Sequence, residues 1–201
     1  MVELKRGFVS SFLTEFADVA RRISEDDINK AIELLFEAWK QGSKIFIIGN
    51  GGSASTATHF ACDLAKTTAV EGKKRFKVTS LTDNVPLLTA LTNDNGFASI
   101  FVEQLKNLLE KDDVLITISV HGGSGQDKAG LWSQNLLAAI QYAKANHART
   151  IGMAGFDGGA FKIMTDVCIV VPANSTPYVE SWHATLEHLI CSSLKERIQN
   201  T

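Results

Sequence analysis

His59 and Asp63 stand four residues apart, just after a run of small residues. On a helix that spacing puts both side chains on one face. There an imidazole and a carboxylate can pass a proton between them or meet one metal ion. A second group lies near the end of the sequence: Glu180, His183, Glu187 and His188. At helical periodicity these four fall within about 140° of arc, beside an apolar face of Trp182, Leu186 and Leu189. Two histidines and two glutamates beside such a face are less typical of a solvated charged stripe than Lys/Glu pairs would be. Glu180 and His188 would sit about 12 Å apart along one straight helix. They can share a metal only if Glu180 occupies a bent helix start, which Pro177 at an early helical position would permit, or if two chains contribute.

Both groups need a partner that holds the rest of a substrate. Ile45–Ile48 runs into Gly49-Asn50-Gly51-Gly52-Ser53, and a second apolar run ends in Ser119-Val120-His121-Gly122-Gly123-Ser124-Gly125. The first loop is not a P-loop, since no Lys-Ser/Thr follows its glycines, and it lacks the third glycine of a dinucleotide fingerprint. Two such loops, with Ser53, Ser119 and Ser124, offer hydroxyls, backbone N–H groups and helix N-termini, the parts of an anion site. Neither loop carries Lys or Arg. Neutral donors suit a phosphate monoester that must be held and then released.

The elements that must position these residues can be read from periodicity. Phe8, Phe12, Phe16, Val19 and Ile23 fall at helical spacing, as do Ile28, Ala31, Ile32, Leu35, Ala38 and Trp39. Ser24 followed by Asp27 resembles a capping box between them. Strands are expected at Lys44–Ile48, Phe76–Thr79, Val114–Ser119, Thr150–Met153 and Val167–Val170, with helices near 53–68, 85–92, 97–110, 127–146 and 178–198. Most of these strands are apolar on both faces, as in a parallel sheet covered by helices on both sides. The expectation is an α/β, doubly wound fold with a parallel five-stranded sheet and leading N-terminal helices. Ligands in such sheets bind beyond the carboxyl ends of the strands, where the glycine stretches 49–52, 122–125 and 155–159 fall.

With 201 residues, 45% apolar and 21% charged, the composition is that of an ordinary globular protein. A net charge of −2 gives no basic excess for nucleic-acid phosphates. Three cysteines at wide spacings, Cys62, Cys168 and Cys191, argue against a disulfide framework and fit a reducing, cytoplasmic setting. No apolar run approaches the ~18 residues needed to span a bilayer, and the opening residues lack the apolar stretch of a signal peptide.

The order IGNGGSAS…HFACDL, LTNDNGF, ISVHGGSG and VP…E-x-x-H-x-x-x-x-H resembles the SIS (sugar isomerase) domain and, within it, the phosphoheptose isomerases. These enzymes interconvert sedoheptulose 7-phosphate and D-glycero-D-manno-heptose 7-phosphate. The resemblance spans almost all of the chain. It implies one SIS domain over 1–201, with N-terminal helices in 1–42 and an α/β core in 43–201. It implies a homotetramer with active sites between subunits and no nucleic-acid or membrane partner.

Carried onto this sequence, the resemblance makes Asp63 and His188 the acid–base pair, and makes His59, Asp63, Glu180 and His188 the positions that ligate Zn²⁺ in some members. Asn50, Gly51, Gly52, Ser53, Asp94, Ser119, Val120, His121, Ser124 and Glu180 become the substrate-binding set. Four positions depart from the family pattern. Asp63 replaces a Glu and is one methylene shorter, and Glu180 replaces a Gln. His121 stands where the phosphate loop has Ser, and Tyr178 where an Arg is common. The chemistry implied is aldose–ketose isomerisation through an enediol. The alternatives are an isomerase of another ketose phosphate, or a non-catalytic SIS scaffold such as the branch that binds the replication initiator DnaA.

Overall fold

The structure is a computed structural model and describes residues 7–123 and 133–201. Two helices lead, α1 (Phe8–Ala20) and α2 (Glu25–Gln41). The Ser24 Oγ accepts from the Asp27 N–H at 3.2 Å, so the expected cap starts α2, and Gly42 ends it in left-handed backbone. Strands and helices then alternate: β1 (Lys44–Gly49), α3 (Gly52–Lys66), β2 (Lys77–Ser80), α4 (Val85–Asn95), a 3₁₀ turn (Phe97–Ser99), α5 (Ile100–Leu108), β3 (Val114–Ser119), α6 (Gln134–Ala145), β4 (Arg149–Gly155), α7 (Phe161–Met164), β5 (Val167–Val171) and α8 (Thr176–Gln199).

All five strands pair in parallel, in the order β2-β1-β3-β4-β5. Alternate residues of β1 serve two separate cores. Ile45 and Ile47 pack with α2, α3 and α8, whereas Phe46 and Ile48 pack with α5 and α6. A strand buried on both faces cannot show polar alternation, which is why β1, β3 and β4 read as continuous apolar runs. β2 is the exposed edge on its side of the sheet. Among the described residues, no helix is long and apolar enough to cross a membrane.

Three sequence expectations shift. The helix expected near 97–110 opens as a 3₁₀ turn before α5. The one expected near 127–146 is helical over Gln134–Ala145 among the described residues, with Ser133 in left-handed backbone before it, and residues 127–132 lie outside the description. The short helix α7 was not foreseen. The Phe face of α1 packs partly within its own chain: Phe12 meets Tyr178 at 4.6 Å between ring centroids, and Phe16 stacks on Trp182 at 4.9 Å. Phe8, Val9 and Leu13 stay exposed.

With this strand order the topological switch lies between β1 and β3, so the loops after these strands open one crevice. Asn50 from the first loop and the fully buried Asn135 of α6 close the floor between them. Each side-chain amide donates to the other, at 3.0 and 2.9 Å.

Candidate active site on helices α3 and α8

α3 and α8 run side by side in the same direction. Gly52 faces Glu180, His59 faces Glu187, and Asp63 faces His188. The pairing starts where the two helices begin at the crevice. A Cβ at Gly52 would meet the Glu180 carboxylate, so the Glu180 side chain lies directly over the start of α3.

About two turns further along, or roughly 10 Å down the axis, four side chains converge. His59, Asp63, Glu187 and His188 each offer a ligand atom, and these atoms lie within 4.8 Å of one another. His188 Nδ1–H donates to Asp63 Oδ2 at 2.9 Å, while Thr67 Oγ donates to Asp63 Oδ1 at 3.0 Å. The shorter Asp63 therefore still reaches its histidine. This bond commits Nδ1 of His188 and leaves Nε2 for chemistry. His59 Nδ1 lies 2.8 Å from Glu187 Oε1, yet without the alignment of a hydrogen bond, and neither Glu187 oxygen has a hydrogen-bond partner. The Glu187 side chain is fully buried, whereas the two imidazoles are about half exposed. Burial first, and the nearby Asp63 charge second, raise the Glu187 carboxyl to about 8.

An orphaned buried carboxylate, a second carboxylate and two imidazoles fit a divalent cation. Donors around tetrahedral zinc stand about 3.3 Å apart, so small side-chain movements would suffice. The ligand atoms that gather within one chain are those of His59, Asp63, Glu187 and His188, whereas Glu180 lies beside Gly52, about two turns earlier on α8. Glu187 lay on the acidic stripe read from the sequence. Nothing in the spacing, however, distinguished the turn of α8 that faces α3.

The second loop is built differently. Ser119 Oγ accepts from Gly123 N–H at 3.3 Å, closing the loop on itself. Gly122 and Gly123 both adopt left-handed backbone, and a Cβ on Gly122 would strike the Gly158 carbonyl. His121 packs against Phe156 with ring centroids 4.4 Å apart, and Val120 accepts from Gly155 N–H at 2.9 Å. Ser53 is buried at the start of α3, and Gly51 is exposed. Ser124 lies outside the described residues. Asp94 is exposed near the end of α4, accepting from its neighbour Asn93 at 2.7 Å. Among the described residues, no hydrogen bond or ion pair joins Asp94 to either the cluster or the loops.

The pattern that defines the SIS domain matches residues 11–155. The phosphoheptose isomerase of Aliarcobacter butzleri (strain RM4018) is 33% identical over 199 residues, covering 98% of this chain and 100% of that protein. The lincomycin biosynthesis protein LmbN of Streptomyces lincolnensis is 39% identical over 187 residues, covering 91% of this chain and 67% of LmbN. The structure of phosphoheptose isomerase GmhA from Neisseria gonorrhoeae superposes with a TM-score of 0.82 at 29% identity, covering 94% of this chain and 97% of that one. The chain belongs to the SIS-domain phosphoheptose isomerase family and is an isomerase acting on a sugar phosphate.

His183, one turn before Glu187 on α8, is 1% exposed, and neither ring nitrogen meets the geometry of a hydrogen bond. Burial lowers its pKa to about 4, against a smaller opposing pull from the Ala154 backbone. The folded protein holds this ring neutral, whereas the unfolded chain protonates it below its ordinary value of 6.5. Its contribution is therefore full above pH 6.5 and is lost as pH falls towards 4, a change of about 3 kcal/mol. Urea unfolding across this range is expected to show a steeper acid loss for wild type than for His183→Leu. Equal slopes would show that the ring is protonated or solvated in the fold.

Proposed function

We propose that this chain interconverts sedoheptulose 7-phosphate and D-glycero-D-manno-heptose 7-phosphate, with Zn²⁺ bound in the α3–α8 cluster. The carrying observation is the placement of the cluster about 10 Å along α3 from the glycine loops. That is roughly the reach of an extended seven-carbon sugar from terminal phosphate to carbonyl. The relatives named as phosphoheptose isomerases support the same substrate.

In this reading the phosphate is held by Ser53, Ser119, Ser124 and His121, with backbone N–H groups around Gly51, Gly52, Val120 and Gly123. Asn50, braced by Asn135, and Glu180 at the mouth of the loop take sugar hydroxyls. Asp94 joins from a neighbouring subunit. Binding at the phosphate end positions the reacting carbons. His188 Nε2 removes a proton from C1 of the ketose as O2 gains one, giving the enediol, and then returns a proton to C2 as O1 gives one up, giving the aldose. Asp63 holds the ring in the required tautomer and stabilises its charged form. Of the four converging groups, His59, Asp63 and Glu187 would hold the cation while His188 is kept as the base, which leaves one position open, the arrangement of catalytic zinc sites. When bound, the ion supplies Lewis-acid polarisation of the substrate oxygen.

The whole chain works as one SIS unit, in a homotetramer that completes the sites between subunits. Two exposed apolar surfaces support the assembly. Phe8, Val9 and Leu13 are exposed on α1, and α4 has no buried residue while exposing Val85 and Leu87. Light scattering at micromolar concentration is expected to give four times the protomer mass, and a protomer mass would remove this assembly.

The functional test is incubation with sedoheptulose 7-phosphate, monitored for the aldose. Turnover is expected to fall on chelation and return with zinc. His188→Ala should lose about 10²–10⁴-fold in kcat. Glu187→Ala should lose bound zinc, whereas Glu180→Gln should retain it and raise KM. Full-rate turnover by metal-free protein would remove the zinc, and turnover by His188→Ala at the wild-type rate would remove the assigned base.

A further inference from the structure

The third glycine stretch, 155–159, is tied to the second loop at several points. Gly155 N–H donates to Val120 O at 2.9 Å, and Phe161 N–H donates to Gly122 O at 3.0 Å. Between them stands Phe156, with φ of 54°. An aromatic residue in left-handed backbone is uncommon, and such strain persists only where the surroundings over-determine it. Here one constraint is Phe156 N–H donating to Ala173 O at 3.2 Å, just past β5. The other is the ring contact with His121, tilted at 40°. The unusual backbone thus turns an aromatic face onto the side chain in the second loop that can bear charge.

We propose that Phe156 is a positioning residue that fixes the His121 imidazole as a donor to the terminal phosphate of the substrate. This rests on the phosphate site described above and adds its specificity element. Without Lys or Arg in either glycine loop, an imidazole N–H is the donor here that can also carry positive charge. A ring held by a tilted aromatic contact has its rotamer restricted, which suits donation from a ring N–H to an oxyanion. Freed from Phe156, His121 would sample several rotamers, and ordering it would be charged against each binding event.

The test uses inorganic phosphate as the probe and needs no turnover, so it is independent of which sugar is isomerised. In wild type, His121 ring protons are expected to show nuclear Overhauser contacts to the Phe156 ring and an upfield ring-current shift, and to move on phosphate addition. His121→Ala should weaken phosphate about tenfold. Phe156→Leu, which keeps apolar bulk, should weaken it several-fold and return the His121 signals towards free-histidine positions, whereas Phe156→Tyr should restore both. The proposal is overturned if the wild-type contacts are absent. It is equally overturned if phosphate affinity is unchanged in His121→Ala, or if Phe156→Leu leaves both affinity and His121 signals as in wild type. Failure to isomerise a heptulose phosphate with these results intact would fault the substrate assignment and leave the positioning role standing.

Discussion

A carboxylate with no hydrogen bond, buried between two helices and beside a second carboxylate, is costly in water-free surroundings. Glu187 is in that position, and the site follows from how its cost is met. Either the group takes a proton, as its raised pKa of about 8 indicates, or a cation replaces the proton. His59 stands 2.8 Å away without the alignment to donate. A proton or a cation held between these two atoms would satisfy both.

That arrangement depends on the sheet. Five parallel strands deliver the chain to one edge, so the first two glycine stretches and the starts of α3 and α8 gather there. Because α3 and α8 lie parallel, each turn of one meets the corresponding turn of the other. Gly52 and Glu180 meet at the mouth, and the histidines and remaining acids meet two turns below. One end of this groove holds the glycine loops with the Glu180 carboxylate over Gly52, and the other gathers His59, Asp63, Glu187 and His188.

Much of this was legible in the sequence. The apolar runs of β1, β3 and β4 stand out because double burial removes alternation, and β3 was bounded at the same residues as observed. His59 and Asp63 share a face because four residues make about one helical turn. The partner on α8 was harder. Glu180 and Glu187 lie on the same stripe, and choosing between them needs the axial register of α8 against α3, which packing sets and periodicity does not carry. The Phe face of α1 was legible as apolar, but its pairing with Tyr178 and Trp182 is a contact across more than 160 residues of chain. The left-handed backbone at Phe156 left no signal, because its composition there is that of an ordinary strand end.

Whether Glu187, rather than Glu180, shares a cation with α3 is tested most directly by a crystal structure of zinc-loaded protein with anomalous data collected at the zinc edge. The account predicts one peak between α3 and α8, with His59, Asp63 and Glu187 at about 2.0–2.2 Å and the Glu180 carboxylate still over Gly52. A zinc ion ligated by Glu180 while Glu187 stays protonated and unligated, or full zinc occupancy elsewhere with the cluster empty, would contradict it.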